Sequence, residues 1–297
     1  MSKDESILTF RCKHRHSAMS HPKCYIKYLR GDTEEKKLPK VLLFDIETSP
    51  LQAFIFQKSV WKANVGADQV ISEWFMLTWS AKWLFGDEIL TDRLTGKEAI
   101  KEDDGRIVKS LWKLLDEADI IIAHNGDSFD VPNMNTRFIV HGLPPTSPYQ
   151  TIDTMLVARK QFGFTHNSLN GLAKIFGFQE KMETTFELWK RCVAGDDEAL
   201  AYMQKYNNGD VDTLEDVYLK LRPWIKGHPN LGLYVESDEE VCPNCGSSDI
   251  QMIPDKYSYT QVSKFPLFRC KCGAYGRVRK SILPKSVGKT LLVGLSK

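Results

Sequence analysis

Asp45 and Glu47 stand two residues apart in the apolar run VLLFDIET. In a strand, side chains at i and i+2 share a face, so both carboxylates point one way while Ile46 points into the core. Two carboxylates on one face of a buried strand are costly unless positive charge neutralises them. Mg²⁺ or Mn²⁺, which prefer carboxylate oxygens, would supply that charge. A strand end with solvated acids is the plainer alternative. Asp130 closes the string Asn125-Gly-Asp-Ser-Phe129-Asp130 after the apolar run ADIIIAHN. It is also placed to cap the next helix, VPNMNTRFIVHGL, with Pro132 in the first turn. Asp210 closes Tyr206-Asn-Asn-Gly-Asp210. In a helix, Tyr206 and Asp210 would share a face at i, i+4. Asn207, Asn208 and Gly209 weaken that helix, and a solvent-facing Asp is the alternative.

The elements that must position these residues have an αβ pattern from Lys40 onward. VLLFDIET and ADIIIAHN have the length and composition of buried strands. Segments 53–63, 71–78 and 80–85 are rich in aromatic and β-branched residues and predict antiparallel strands. RIVKSLWKLLDE (106–117) repeats apolar residues at helical spacing. TIDTMLVARKQF and SLNGLAKIFG predict short helices, and 196–222 a longer, broken one. HPNLGLY (228–234) predicts an exit linker. Residues 241–279 alternate short β-type runs with Cys-Gly turns.

FDIET, NGDSFD and YNNGD, in this order, resemble the three exonuclease motifs of the DEDD superfamily. Tyr206, four residues before Asp210, is similar to the branch that uses tyrosine, which includes the proofreading domains of family B DNA polymerases. The resemblance covers roughly residues 39–226. It implies an α/β, ribonuclease H-like mixed sheet flanked by helices. It also implies a two-metal 3′–5′ exonuclease releasing nucleoside 5′-monophosphates. Asp45 would bridge two Mg²⁺ or Mn²⁺ ions, with Glu47, Asp130 and Asp210 completing their shells and Tyr206 orienting the attacking water. Asn125 and Phe129 match positions that contact the substrate strand, and Thr48, just after the acidic pair, is placed to hydrogen-bond the 3′ terminus. For Phe129, core packing is the competing role. Asp127 and Asp212 are expected to lie in supporting or surface positions, and His124 in a structural one. Asp153 resembles a recurrent family position, and a helix N-cap explains it equally. With no polymerase-sized region following, the resemblance points to a freestanding nuclease of phage type.

Seven cysteines complete the inventory. Cys242-x-x-Cys245 and Cys270-x-Cys272 are each followed by Gly, which permits a tight knuckle turn. Four thiolates around Zn²⁺ would make a closed structural site, and the intervening β-type runs predict a small C-terminal β zinc ribbon. Its aromatic residues (Tyr257, Tyr259, Phe265, Phe268, Tyr275) interleave with basic ones, which suits single-stranded nucleic acid. A small aromatic core with a solubilising basic face is the alternative. Cys12, His14, His21 and Cys24 form a C-x-H-x₆-H-x₂-C string, with His16 as a substitute ligand. That string predicts either a second zinc in a short N-terminal Cys/His module or a basic disordered arm. Cys192 stands alone and predicts an inert thiol. The expected domains are 1–37, 38–226 and 235–297.

Net charge is +2 but segregated: +5 over residues 1–40, −12 over 41–254 and +9 over 255–297. An acidic centre with basic ends suits a protein that holds metal ions centrally and touches phosphates peripherally. The hydrophobic content of 42% excludes a disordered protein. No signal peptide and no bilayer-length apolar run are apparent, which predicts a soluble, cytoplasmic protein, in a host cell if the phage resemblance holds. The motifs leave DNA and RNA open as substrates, because sugar discrimination depends on contacts to the 2′ position. A non-catalytic protein binding single-stranded nucleic acid is the remaining alternative.

Overall fold

β1 (Val41–Thr48) is the strand on which the first two carboxylates ride. Leu42, Leu43, Phe44 and Ile46 are buried, so the strand is apolar on both faces except where Asp45 and Glu47 emerge. The computed structural model describes residues 39–56, 64–178, 182–235 and 239–295. They fall in two compact units, one of Pro39–Pro229 and one containing Asn230–Lys297. Cys12, His14, His16, His21 and Cys24 lie outside the described residues.

The large unit is built on a five-stranded mixed sheet. β2 (Gln52–Ala53) and β3 (Val70–Ser72) form a separate two-stranded ribbon. β4 (Met76–Trp83) and β5 (Ile89–Arg93) join the main sheet, followed by the helices α1 (Gly96–Ile100) and α2 (Gly105–Glu117). β6 (Ile120–Ala123), α3 (Asp130–Val140) and β7 (Gln150–Asp153) come next. The sheet order is β5-β4-β1-β6-β7. β1 pairs antiparallel with β4 and parallel with β6, and β6 pairs parallel with β7. β1 is therefore central, which explains its near-continuous apolar character. The helices α4 (Thr154–Gln161), α5 (Leu169–Phe176), α6 (Phe186–Val193) and α7 (Asp197–Leu221) complete the unit. The ribonuclease H-like α/β class expected from the sequence is the class observed.

Several local expectations change. The predicted strands at 71–78 and 80–85 are not separate, because β4 runs unbroken through Trp79. It buries Met76, Leu77, Trp79 and Ala81 along with Thr78 and Ser80. In 53–63, the described part is strand only at Ala53. Thr151, Ile152 and Asp153 of the predicted helix belong to β7, and α4 begins only at Thr154. Asp130 is the first helical residue of α3, and Phe129 takes the cap position. The helix predicted as broken at 196–222 is continuous over 25 residues. Its buried positions, Ala199, Leu200, Met203, Tyr206, Asn207, Asp210, Val211, Leu214 and onward, follow helical periodicity. Packing of that stripe on β1 and β4 outweighs roughly 1 kcal/mol of lost propensity at Gly209.

The second unit contains β8 (Ile250–Thr260), β9 (Ser263–Cys270), β10 (Tyr275–Arg277) and the short helix α8 (Lys285–Gly288). The three strands form an antiparallel sheet in the order β10-β9-β8. The expected exit linker holds a short 3₁₀ turn at Leu231–Leu233. Among the described residues, no helix is long and apolar enough to cross a membrane.

Candidate metal centre and its supports

Carboxylate oxygens of Asp45, Glu47 and Asp210 all lie within 4.8 Å of one another. Two come from the C-terminal half of β1 and the third from the middle of α7. Three carboxylates at this range repel one another unless a cation or hydrogen-bond donors stabilise them. One such donor is Asn207, fully buried, whose Nδ2 donates to Asp45 Oδ2 at 2.6 Å. Its neighbour Asn208 accepts from Ser80 Oγ at 2.6 Å, and Ser80 is the cross-strand partner of Asp45. Gln204 adds a bond to Thr91 on β5 at 3.2 Å. The Asn pair that weakens the helix in isolation thus fastens α7 to the sheet through side chains. This sets its rotation so that Asp210 faces β1. Sequence reasoning missed Asn207, and its one signal was an amide inside a motif otherwise read for its ends.

Tyr206 lies one turn before Asp210 on the buried stripe of α7. Thr48 follows Glu47 at an irregularity where the β1–β4 register shifts. Asp130 stands outside the group of three. It is 2% exposed, and its Oδ1 accepts from Ile46 N, the residue between the two β1 acids, at 3.3 Å. Burial pushes the Asp130 carboxyl up to about 7, while the Ile46 and Asp130 backbone N–H groups pull the other way. A nearby cation would favour its ionised form.

The loop before Asp130 has its own support. Asn125 sits at φ +71°, a conformation that Asn tolerates better than most residues. Asp153 caps α4 through Met155 N and Leu156 N, and it also accepts from Asn125 N at 3.0 Å and Asp127 N at 3.3 Å. One carboxylate therefore closes the loop and starts the next helix. His124 contacts Thr154 Oγ1 and the Asn167 carbonyl. Asp212 forms an ion pair with Lys82 at 3.1 Å. Phe129 is 41% exposed, so it is not core. A cavity of about 510 Å³ borders this loop at Asp127 and Asp153, lined also by Arg159, Lys160 and Lys226. It includes none of the three clustered acids.

The start of α3 is held from its far end. Fully buried Asp104 accepts from Met76 N at 2.8 Å and from Arg137 Nε at 2.7 Å, and it contacts His141. Removing one partner of such a buried pair costs about 3–5 kcal/mol, so α3 is firmly tied to β4.

In the second unit, Cys242, Cys245, Cys270 and Cys272 bring their sulfurs within 4.8 Å of one another. The Cys245–Cys270 and Cys242–Cys272 separations are 3.5 and 3.8 Å. Four sulfurs bonded to zinc at about 2.3 Å in a tetrahedron would be about 3.8 Å apart, so the set fits the metal. The knuckle turns close through Gly246 N to the Cys242 carbonyl and Gly273 N to the Cys270 carbonyl. Both glycines have positive φ, +70° and +90°. Burial pushes the Cys242 thiol up and the Cys245 thiol up to about 11. Buried Cys192 is likewise pushed up to about 12 and is unsuited to nucleophilic work.

Residues 83–222 match the family model RNase_H_2, described as RNase_H superfamily. That span includes Asp130, Tyr206 and Asp210 and leaves out Asp45 and Glu47, which reach the site through the pairing of β1. No curated protein matches the chain. Among 146 matching solved chains is the family B DNA polymerase from the hyperthermophilic archaeon Pyrobaculum calidifontis. Identity is 17% and the TM-score 0.46, over 63% of this chain and 25% of that one. The chain thus matches about a quarter of that polymerase's length. Residues 83–222 thus carry a ribonuclease H-superfamily match, in the same unit as the acidic cluster.

Proposed function

We propose that the chain is a two-metal-ion 3′–5′ exonuclease of the tyrosine-bearing DEDD type, releasing nucleoside 5′-monophosphates from DNA 3′ ends. The observation that carries this reading is the convergence of the Asp45, Glu47 and Asp210 carboxylates within 4.8 Å. Tyr206 lies one turn away on the helix that supplies Asp210. An all-oxygen, all-anionic donor set fits Mg²⁺ or Mn²⁺ better than a soft metal. When bound, such ions acidify a water and neutralise charge on the leaving 3′ oxygen.

The chain's own residues divide the remaining work. Asp45, Glu47 and Asp210 hold the metals, and Asp130 completes the set from the start of α3. The Tyr206 hydroxyl orients the attacking water by hydrogen bonding and need not ionise, its reference pKa being about 10. Thr48 and Asn125 meet the substrate's terminal nucleotides, and the exposed Phe129 ring offers a surface for a terminal base. The four C-terminal cysteines hold one structural Zn²⁺, making the second unit a zinc ribbon. Cys12, His14, His21 and Cys24 hold a second zinc only if metal analysis gives two per chain.

The test is digestion of end-labelled single-stranded DNA, duplex DNA and RNA with Mg²⁺ or Mn²⁺, resolved for polarity and product. Nucleoside 5′-monophosphates released from the 3′ end are expected, with DNA degraded faster than RNA. Asp45→Asn and Asp210→Asn should each cut the rate by about 10³-fold, the scale of losing a charge-stabilising group, with the melting temperature retained. An endonucleolytic ladder from a circular substrate, or full activity in either purified variant, would sink the assignment.

A further inference from the structure

We propose that one face of the C-terminal sheet is a stacking platform for single-stranded nucleic acid, formed by Gln251, Arg269, Tyr275 and Arg277. The register places Gln251, Arg269 and Tyr275 in one row across β8, β9 and β10. Arg277 stands two residues further along β10, opposite Leu267. Residues in facing rows two apart along a strand share a face. All four side chains are exposed, Tyr275 by 61%.

The face is chemically biased. The Arg269 guanidinium lies 5.5 Å from the Tyr275 ring centre, and that of Arg277 lies 3.7 Å from the ring of Phe265. The rings hold two cations in fixed orientation, which lowers the entropy lost when they engage a ligand. None of the residues in these two rows is acidic, and residues 239–295 carry nine Lys/Arg against four Asp/Glu. A ligand complementary to an exposed aromatic ring set among fixed cations is a polyanion with open flat rings. Single-stranded nucleic acid has both. An acidic protein surface would satisfy the arginines and leave the tyrosine ring unused. Duplex DNA would offer phosphates with its base faces stacked away. The choice of nucleic acid over other polyanions rests on the proposed nuclease function, to which this platform would add strand capture on the same chain.

The probe is a fluorescently labelled 20-nucleotide single strand. Binding is followed by anisotropy across a salt series, using the full chain in an Asp210→Asn background without chelator. Tyr275→Ala should weaken binding by about tenfold, while Tyr275→Phe keeps it. Arg269→Ala with Arg277→Ala should reduce the slope of log K against log salt by about 1.4, or 0.7 per lost phosphate contact. Tyr259→Ala, on the opposite face by register, should change little. Zinc content equal to wild type certifies that each variant folds. Wild-type affinity and slope in the Tyr275 and arginine variants would overturn the platform and leave the face to a protein partner. Duplex bound as tightly as single strand would overturn the stacking. Hydrolysis of the p-nitrophenyl ester of thymidine 5′-monophosphate by the otherwise wild-type chain with Mn²⁺ separates the two claims. Its loss in wild type counts against the nuclease, whereas its persistence beside unchanged oligonucleotide binding in Tyr275→Ala counts against the platform alone.

Discussion

The two units hold their ligand clusters in opposite thermodynamic settings. In the large unit, a core running from Leu42 and Phe44 through Met76, Leu111 and Phe138 to Met203 is apolar and closed before any metal is considered. The Asp45–Glu47–Asp210 cluster is added to that frame and is a burden on it, since it gathers like charges. In the small unit, the buried cluster is Cys242, Cys270 and Ala274, with Cys245, Ile250 and Cys272 packed against it. There the ligands are themselves core residues, alongside buried Phe265 and Phe268. A segment of this size buries too little apolar surface to fold firmly without a staple. Metal should therefore switch on chemistry in one unit and folding in the other.

The largest effect expected from that contrast is on the small unit. Structural zinc contributes about 10 kcal/mol or more of apparent binding free energy to comparable modules, and that energy is folding energy. Cys270→Ser should lower zinc content, collapse NMR dispersion for the small unit and open it to limited proteolysis. The large unit should keep its melting transition. A Cys270→Ser chain that keeps a protease-resistant, dispersed C-terminal unit would break the comparison.

A smaller effect sharpens it from the other side. Asn207 orients Asp45 by donating to its Oδ2. Asn207→Leu removes the 2.6 Å bond to Asp45 and should weaken Mn²⁺ binding by about tenfold, the scale of losing an outer-shell partner. Asn208→Ala loses its bond to Ser80 instead. It should lower the melting temperature while leaving Mn²⁺ affinity near wild type. Calorimetric titration of both variants separates positioning from packing, and equal Mn²⁺ affinity in Asn207→Leu and wild type removes Asn207 from that role.

These supports show what a sequence makes legible. The motif acids are visible in it because strand alternation and the i, i+4 rule are local, and FDIET and YNNGD carry both. The four C-terminal cysteines are visible because knuckle spacing and the following glycines are local too. The continuity of α7 is not, because Asn207, Asn208 and Gly209 lower helix propensity, and the compensation comes from packing on β1 and β4 and from bonds to Asp45 and Ser80, all distant in sequence. The Asp104–Arg137–His141 cluster is invisible for a related reason. Asp104 lies more than 30 residues before both of its partners and meets them only when the start of α2 comes against α3. Asp153 is half legible, as a helix cap, while its bonds to Asn125 and Asp127 require the parallel pairing of β6 and β7.

The smallest effect concerns acid, which should destabilise the two units by different routes. In the large unit, His228 is buried between the Tyr218 hydroxyl at 2.9 Å and the Pro229 carbonyl at 2.7 Å. The carbonyl can only accept, so Nδ1 carries the proton and Nε2 accepts from the tyrosine. Burial holds its pKa below the ordinary 6.5, partly opposed by the Pro229 carbonyl and reinforced by Arg222. The folded chain then binds fewer protons at this site than the unfolded chain. Stability is lost as pH falls through about 6.5, and the loss levels off once pH drops below the folded value. His228→Gln keeps an acceptor for Tyr218 and removes the titration. Between pH 7.5 and 5.5, the large unit's melting temperature should fall about 2 °C less in His228→Gln than in wild type. The small unit's acid response, set by protons competing with metal for thiolates, should be the same in both chains. Parallel pH profiles for the large unit would show that His228 contributes nothing to it.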